Sequence, residues 1–258
     1  MTVRGQYDVL EGAEPGSWAG SGSNARNGAL VVHGFTGTPQ SMRPLAEAFV
    51  AAGFTTEMPL LPGHGTHLDD MLTTGWADWS AAVETAYTEL AAHCDHVVVA
   101  GLSMGGTLSI WLATRHPEIA GLVLVNPAAM PQPEIAEILA PMLEAGETTF
   151  DAIGNDIAKQ GVTELAYDRT PLAQLASLGE AIDALQPDLA GIELPILLLT
   201  SPQDHVVPPA SSDHLAATVS GPVERVTLQD SFHVATLDND QGLINTSAVA
   251  FAERVCRA

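Results

Sequence analysis

Six short apolar runs, none longer than a single strand, limit the fold of this chain more than any other feature. They are ALVVH at 29–33, FTTEMP at 54–59, HVVVA at 96–100, GLVLVN at 121–126, PILLLT at 195–200 and ERVTL at 224–228. Most are continuously apolar rather than alternating, as strands buried on both faces must be. Amphipathic stretches stand between them. A chain that alternates in this way folds as an α/β protein, with a mainly parallel central sheet covered by helices on both faces. Its 258 residues suffice for one substantial core, so a single domain over 1–258 is expected.

The helical stretches carry their own punctuation. In TPQSMRPLAEAFVAAG (38–53), Met42, Leu45, Phe49 and Ala52 share one face and Gly53 supplies a stop. Thr38 or Ser41 is placed to cap the start, and Pro44 suits only a first turn. In GWADWSAAVETAYTELAAHC (75–94), Trp76, Trp79, Val83, Tyr87 and Leu90 recur at helical spacing, a stripe that reads as core packing. The alternation breaks once. From about 128 to 190 no strand is evident, only helix-like segments such as PEIAEILAPMLEAG and LGEAIDALQP. An excursion of that length either covers a site or fills space with extra helices; the expectation is a small helical cap insertion.

Charge narrows the possible partners. Nine Lys+Arg stand against 31 Asp+Glu, a net −22, and Lys159 is the only lysine. Such a surface repels phosphate backbones, so no nucleic acid is expected, and anionic lipid headgroups are disfavoured too. Cys94 and Cys256 belong to no ligand-spaced cluster and read as free thiols in a reducing compartment. No apolar run approaches 18 residues and the N-terminal stretch has no signal-like apolar core, so a soluble, cytoplasmic protein without stable membrane insertion is expected.

The run HVVVA is followed by GLSMGG (101–106) and then by the helical TLSIWLATRHPE. Strand, tight turn and helix are the three parts of a nucleophile elbow, with Ser103 at its tip. As a bare motif GLSMG arises easily by chance; its setting gives it weight. A serine hydroxyl needs a base, and the base needs an orienting acid. SPQDHVVPP after the 195–200 strand offers Asp204, and QDSFHVATLD after the 224–228 strand offers His233, in loops at the same edge of the sheet. Asp230 is too near His233 in sequence to serve it, and Asp238 and Asp240 follow the base. HGFTG (33–37), closing another buried strand, is a glycine turn or a donor loop; as the latter, backbone N–H groups of Phe35 and of Met104 would form an oxyanion hole.

Other histidines compete less well. His33 shapes a loop, His205 adjoins the acid, His116 ends a helix and His214 falls on a surface helix. A metal site would have to draw on His64, His67, Asp69 and Asp70 in HGTHLDD, or on His93 and His96, but no third cluster has zinc spacing, so no metal and no cofactor are expected.

Taken together, LVVHGFTGTPQSMRPLAEAF, LPGHGTH, GLSMGGTL, ELAYDRTP, SPQDHVVPP and FHVATLD resemble the α/β-hydrolase family, most closely its small bacterial monoacylglycerol lipases of the Bacillus type and related carboxylesterases. The resemblance spans most of the chain in order. It implies an α/β-hydrolase fold, a Ser103–Asp204–His233 triad, a cap after 128 and a lipid ester as the small-molecule substrate, with transient contact to a lipid surface. It also implies Ile153 on the acyl side of the pocket and Glu164 at the glycerol hydroxyls. By the residues alone, Glu164 fits equally a surface acid paired with Arg169, and Ile153 fits packing inside the cap. A broad carboxylesterase, or a hydrolase-fold binder without turnover, are the other functions that fit.

Overall fold

Alternation of side chains along each strand explains the layers. A computed structural model describes residues 7–257. In chain order its elements are β1 (Gly16–Trp18), β2 (Asn27–Val32), α1 (Pro39–Ala51), β3 (Thr55–Met58), α2 (Leu68–Met71), α3 (Trp76–Ala91), β4 (His96–Leu102), α4 (Met104–Arg115) and β5 (Gly121–Val125). There follow α5 (Pro133–Glu144), β6 (Thr149–Asp151), β7 (Arg169–Pro171), α6 (Leu172–Leu185), β8 (Ile196–Thr200), α7 (Ala210–Thr218), β9 (Val223–Thr227) and α8 (Gln241–Val255). Leu30, Val32, Val97, Val99, Leu122, Leu124, Ile196 and Leu198 pack on one face of the sheet, with Trp79, Val83, Leu108 and Leu112 of α3 and α4. Ala29, Val31, Val98, Ala100, Val123, Val125, Leu197 and Leu199 face the other side, against Met42, Leu45 and Phe49 of α1 and Ile244 and Phe251 of α8. Both faces of β2, β4, β5 and β8 are thus dry, which is why their sequences lack polar alternation.

The main sheet runs β1-β3-β2-β4-β5-β8-β9, with every pair parallel except β1–β3. This is the mainly parallel, two-sided sheet expected from the patterning, and it fits the α/β-hydrolase fold that the resemblance implies. Between adjacent β2 and β4 the connections diverge: α1 covers one face and α4 the other. A crevice therefore opens at the C-terminal ends of these two strands, where ligands bind in open α/β sheets.

Three details differ from the patterning. The excursion between β5 and β8 holds a short antiparallel hairpin, Thr149 to Pro171 and Asp151 to Arg169 in register, where no strand was evident. β1 is likewise too short, at three residues, to show a period. Pro44 lies in the second turn of α1 rather than the first, because the helix begins at Pro39. Thr38 holds the N-cap position without a side-chain cap bond, and Ser41 Oγ instead donates to the Thr38 carbonyl at 3.0 Å.

Candidate active site

Ser103 joins β4 to α4 with φ 55° and ψ −118°, a conformation that side-chain-bearing residues avoid. Glycines permit it. A Cβ on Gly105 would lie 2.2 Å from the Val32 carbonyl oxygen, and one on Gly101 would lie 2.2 Å from that of Gly105. The turn is held by Ser103 N–H donating to Val125 O at 3.0 Å and by Thr107 N–H donating to Ser103 O at 3.1 Å. Met104 opens α4, so its N–H has no carbonyl one turn back and stands at the positive end of the helix dipole. Among the described residues, positive φ outside glycine occurs at Thr36, Ser103 and Asn126. All three border this crevice, a concentration of strain typical of functional sites.

The 33–37 loop closes over Ser103: a Cβ on Gly34 would sit 3.5 Å from Ser103 Cβ. His33 anchors it from below. Its Nε2 accepts the Leu61 N–H at 3.1 Å, so Nδ1 carries the proton and donates to Gly34 O at 2.9 Å. Burial pushes the His33 pKa down to about 4, leaving a neutral strut. Phe35 is fixed by edge contacts to Trp79 and His64, with ring centroids 5.8 and 6.5 Å apart. Its backbone N–H and that of Met104 thereby belong to two loops brought together at the β2–β4 crevice.

Asp204 and His233 meet above β8 and β9. His233 Nδ1 lies 2.7 Å from Asp204 Oδ2, with the two side chains 9% and 1% exposed. The other carboxylate oxygen accepts the N–H groups of Val206 and Val207, each at 2.8 Å. With its acceptors filled, the acid can hold the imidazole in one tautomer, Nδ1 protonated and Nε2 free. Ser103 and His233 are not hydrogen-bonded to each other here; such bonds often tighten only with substrate.

The loop that carries His233 has no regular secondary structure, and buried polar side chains hold it instead. Asn126 donates to the His233 carbonyl at 2.8 Å and accepts Ser201 N–H at 2.8 Å. Asp238, fully buried, accepts four backbone N–H groups, from Ala158, Lys159, Phe232 and Asn239, at 2.7–2.9 Å. Sequence order set Asp238 aside as a triad acid; its work is scaffolding. Only the clustering of Asp and Asn in QDSFHVATLDND hints at that.

The excursion meets the site on two sides. Glu164 lies against the donor loop, where a Cβ on Gly37 would come within 2.6 Å of its Oε1. The next turn of chain is pinned there by Tyr167 N–H to Thr36 O at 3.2 Å. Burial raises the Glu164 pKa to about 7, opposed by the nearby His233 and by a Ser41 hydrogen bond. Arg169 does not pair with it: the guanidinium engages Asp151 at 2.7 Å and Thr149 at 2.8 Å. Ile153 is 69% exposed and is not packed inside the excursion.

Several residues of the metal alternative, those of HGTHLDD, have other work. His64 is buried with its Nδ1 on Pro62 O, and burial holds its pKa well below the ordinary value. His67 caps α2 by accepting Asp69 N–H at 3.2 Å, and Asp70 accepts from Thr66 Oγ1 at 2.9 Å. An open groove of about 690 Å³, lined in part by Trp76, Trp111, Arg115 and Glu180, contains none of the residues around Ser103.

Comparison with known proteins bears on the family of the chain. The family model described as serine aminopeptidase, S33 matches residues 23–240. A thermostable monoacylglycerol lipase of Bacillus sp. (strain H-257) is 46% identical over 249 residues, covering 95% of this chain and 96% of the relative. A carboxylesterase of Bacillus subtilis (strain 168) is 24% identical over 88% of this chain and 92% of its own length. A solved structure from work on the metagenome-derived lipolytic enzymes LipS and LipT superposes with a TM-score of 0.90 at 40% identity, covering 96% of this chain and 100% of that one.

Proposed function

Because the chain belongs to the serine aminopeptidase S33 family, a branch of the α/β hydrolases, we propose that it is a serine hydrolase of carboxylic esters that cleaves monoacylglycerols to glycerol and a free fatty acid. Ser103 Oγ gives its proton to His233 Nε2 as it attacks the ester carbonyl. Asp204 keeps Nδ1–H in place and steadies the imidazolium. The N–H groups of Phe35 and Met104 donate to the oxyanion, where loss of one donor typically costs about 10²–10³ in rate. The imidazolium then protonates the leaving glycerol oxygen. His233 next takes a proton from water, whose oxygen attacks the acyl-enzyme; the imidazolium returns that proton to Ser103 Oγ as the acyl–oxygen bond breaks and the fatty acid leaves. Each step needs only side chains and backbone of this chain.

The observation that carries the choice of alcohol is the Glu164 carboxyl beside the donor loop, close enough to His233 for the two to interact. A carboxylate there accepts hydrogen bonds from the free hydroxyls of glycerol, and such charge-assisted bonds strengthen in a partly dry site. Residues 128–190 act as the cap, with Ile153 toward the acyl chain. Ile138, Leu143 and Ile153 leave an apolar edge, 63%, 36% and 69% exposed, for transient contact with a lipid surface. Among the described residues no helix is long and apolar enough to cross a membrane. Both cysteines are free, which supports a cytoplasmic location.

A panel of monoacylglycerols and ethyl esters of matched acyl length, with fluorophosphonate labelling read by intact mass, tests the reading. The expected result is one adduct, absent in Ser103→Ala, and higher kcat/KM on the glycerol esters. Equal rates on both ester series would favour a broad carboxylesterase. No adduct and no hydrolysis would leave a binding protein.

A further inference from the structure

Asp156 belongs to the excursion, yet its carboxylate is buried among the catalytic loops. Its side chain is 9% exposed. Oδ2 accepts the backbone N–H of His233 at 3.0 Å and that of His205, next to the acid, at 3.1 Å. Oδ1 meets His205 Nδ1 at 2.7 Å, and the Asp156 carbonyl accepts Val234 N–H at 3.1 Å. One carboxylate oxygen thus ties the backbone beside the acid to the backbone of the base. The preceding residue does the corresponding work for the alcohol side. Asn155 Oδ1 accepts Glu164 N–H at 2.8 Å, and its Nδ2 donates to Val162 O at 3.0 Å.

We propose that the Asn155–Asp156 dipeptide is a positioning bracket: Asp156 sets the base loop against the acid loop, and Asn155 sets the alcohol-recognising Glu164 at a fixed place relative to both. The inference rests on the triad and the Glu164 role proposed above. Neither residue touches the substrate; each acts by fixing a backbone whose side chain does. The base loop has no helix or strand to hold it, and a displacement of about 1 Å at a reacting group can cost about 10²-fold in rate. The two halves therefore carry different kinetic signatures. Loss of the Asp156 acceptors misplaces His233 and lowers kcat on every ester, whereas loss of Asn155 loosens Glu164 and weakens binding of glycerol esters selectively.

The test compares full-length wild type, Asp156→Ala, Asp156→Asn and Asn155→Ala on a monoacylglycerol and its matched ethyl ester. Rates are normalised to active sites titrated with a fluorophosphonate. Asp156→Ala is expected to lose about 10²-fold in kcat per titrated site on both esters, with KM changed less than about threefold. Asp156→Asn keeps a carbonyl oxygen for the two backbone N–H groups and is expected to recover most of that loss. Asn155→Ala is expected to raise KM for the monoacylglycerol about fivefold more than for the ethyl ester. Wild-type kcat per site in Asp156→Ala, or an Asn variant no better than the Ala variant, would overturn the bracket. So would an unchanged ratio of the two KM values in Asn155→Ala, a variant in an exposed loop that tests the idea even where Asp156→Ala does not fold. Failure of the underlying reading looks different: wild type itself would leave Ser103 unlabelled, or Glu164→Gln would leave the glycerol preference intact.

Discussion

At the scale of single residues, the elbow depends on the absence of two methyl groups. A Cβ on Gly105 would meet the backbone of β2 rather than a flexible side chain, so the strand itself would have to move. Gly105→Ala is expected to lose about 1–3 kcal/mol of stability, read by urea unfolding, together with most of the Ser103 labelling rate. Glu164 gives a second residue-scale test. With its pKa raised to about 7 by burial, it is neutral below that pH and a carboxylate above it. In the role proposed for it, the charged form accepts from both glycerol hydroxyls, and hydrogen bonds to charged groups exceed neutral ones by about 1 kcal/mol. The ratio of kcat/KM for monoacylglycerol over ethyl ester should therefore rise roughly five- to tenfold from pH 6 to 8. The ratio should stay flat in Glu164→Gln. Arg169, the partner that would have made Glu164 an ordinary surface acid, is engaged at the hairpin instead.

Among the elements, the α3 stripe separates two tryptophans that the sequence presents as equals. Trp79 is fully buried, with its indole N–H on Pro62 O at 3.0 Å and its ring against Phe35. Trp76 is only partly covered, edge-on to Trp111. Trp79→Ala should cost about 3–5 kcal/mol and disturb the donor loop, while Trp76→Ala should cost about 1 kcal/mol, both measured by urea unfolding. Six strands were legible as short apolar runs, continuous where both faces are buried as in β2, β4, β5 and β8. α1 and α3 were legible because burial on one face leaves a helical stripe; α8, whose buried face includes two alanines, shows a weaker one. β1, β6 and β7 were not legible, since three residues cannot display a period. Pro44 sits in a second turn, where it lacks the N–H that would meet the Gln40 carbonyl; of the two cap candidates Thr38 and Ser41, Thr38 holds the N-cap position.

Across the whole molecule, a fully buried histidine and a partly buried glutamate set opposing pH dependences. His33 has a folded pKa of about 4 against an ordinary value near 6.5, so the unfolded chain binds its proton first as pH falls. Its contribution is present above pH 6.5 and lost toward pH 4. Glu164 works the other way: its folded pKa is raised, so its contribution is present below about 4.5 and lost as pH rises through 7. Glu164→Gln should thus raise the thermal midpoint at pH 8 and leave it nearly unchanged at pH 4, with the decline toward acid pH retained. By itself the sequence determined the α/β layering, the elbow at Ser103 and the order of Asp204 and His233. Those rest on patterns within a few residues and on which strand each loop follows. Only the tertiary structure decided what each of the many acids does. Asp204 meets the His233 imidazole, Asp238 and Asp156 hold backbone N–H groups, and Glu164 lies against the 33–37 loop, near His233 and apart from Arg169. A carboxylate's role is set by the donors that surround it in space, and residues some 30 to 80 positions apart supply them.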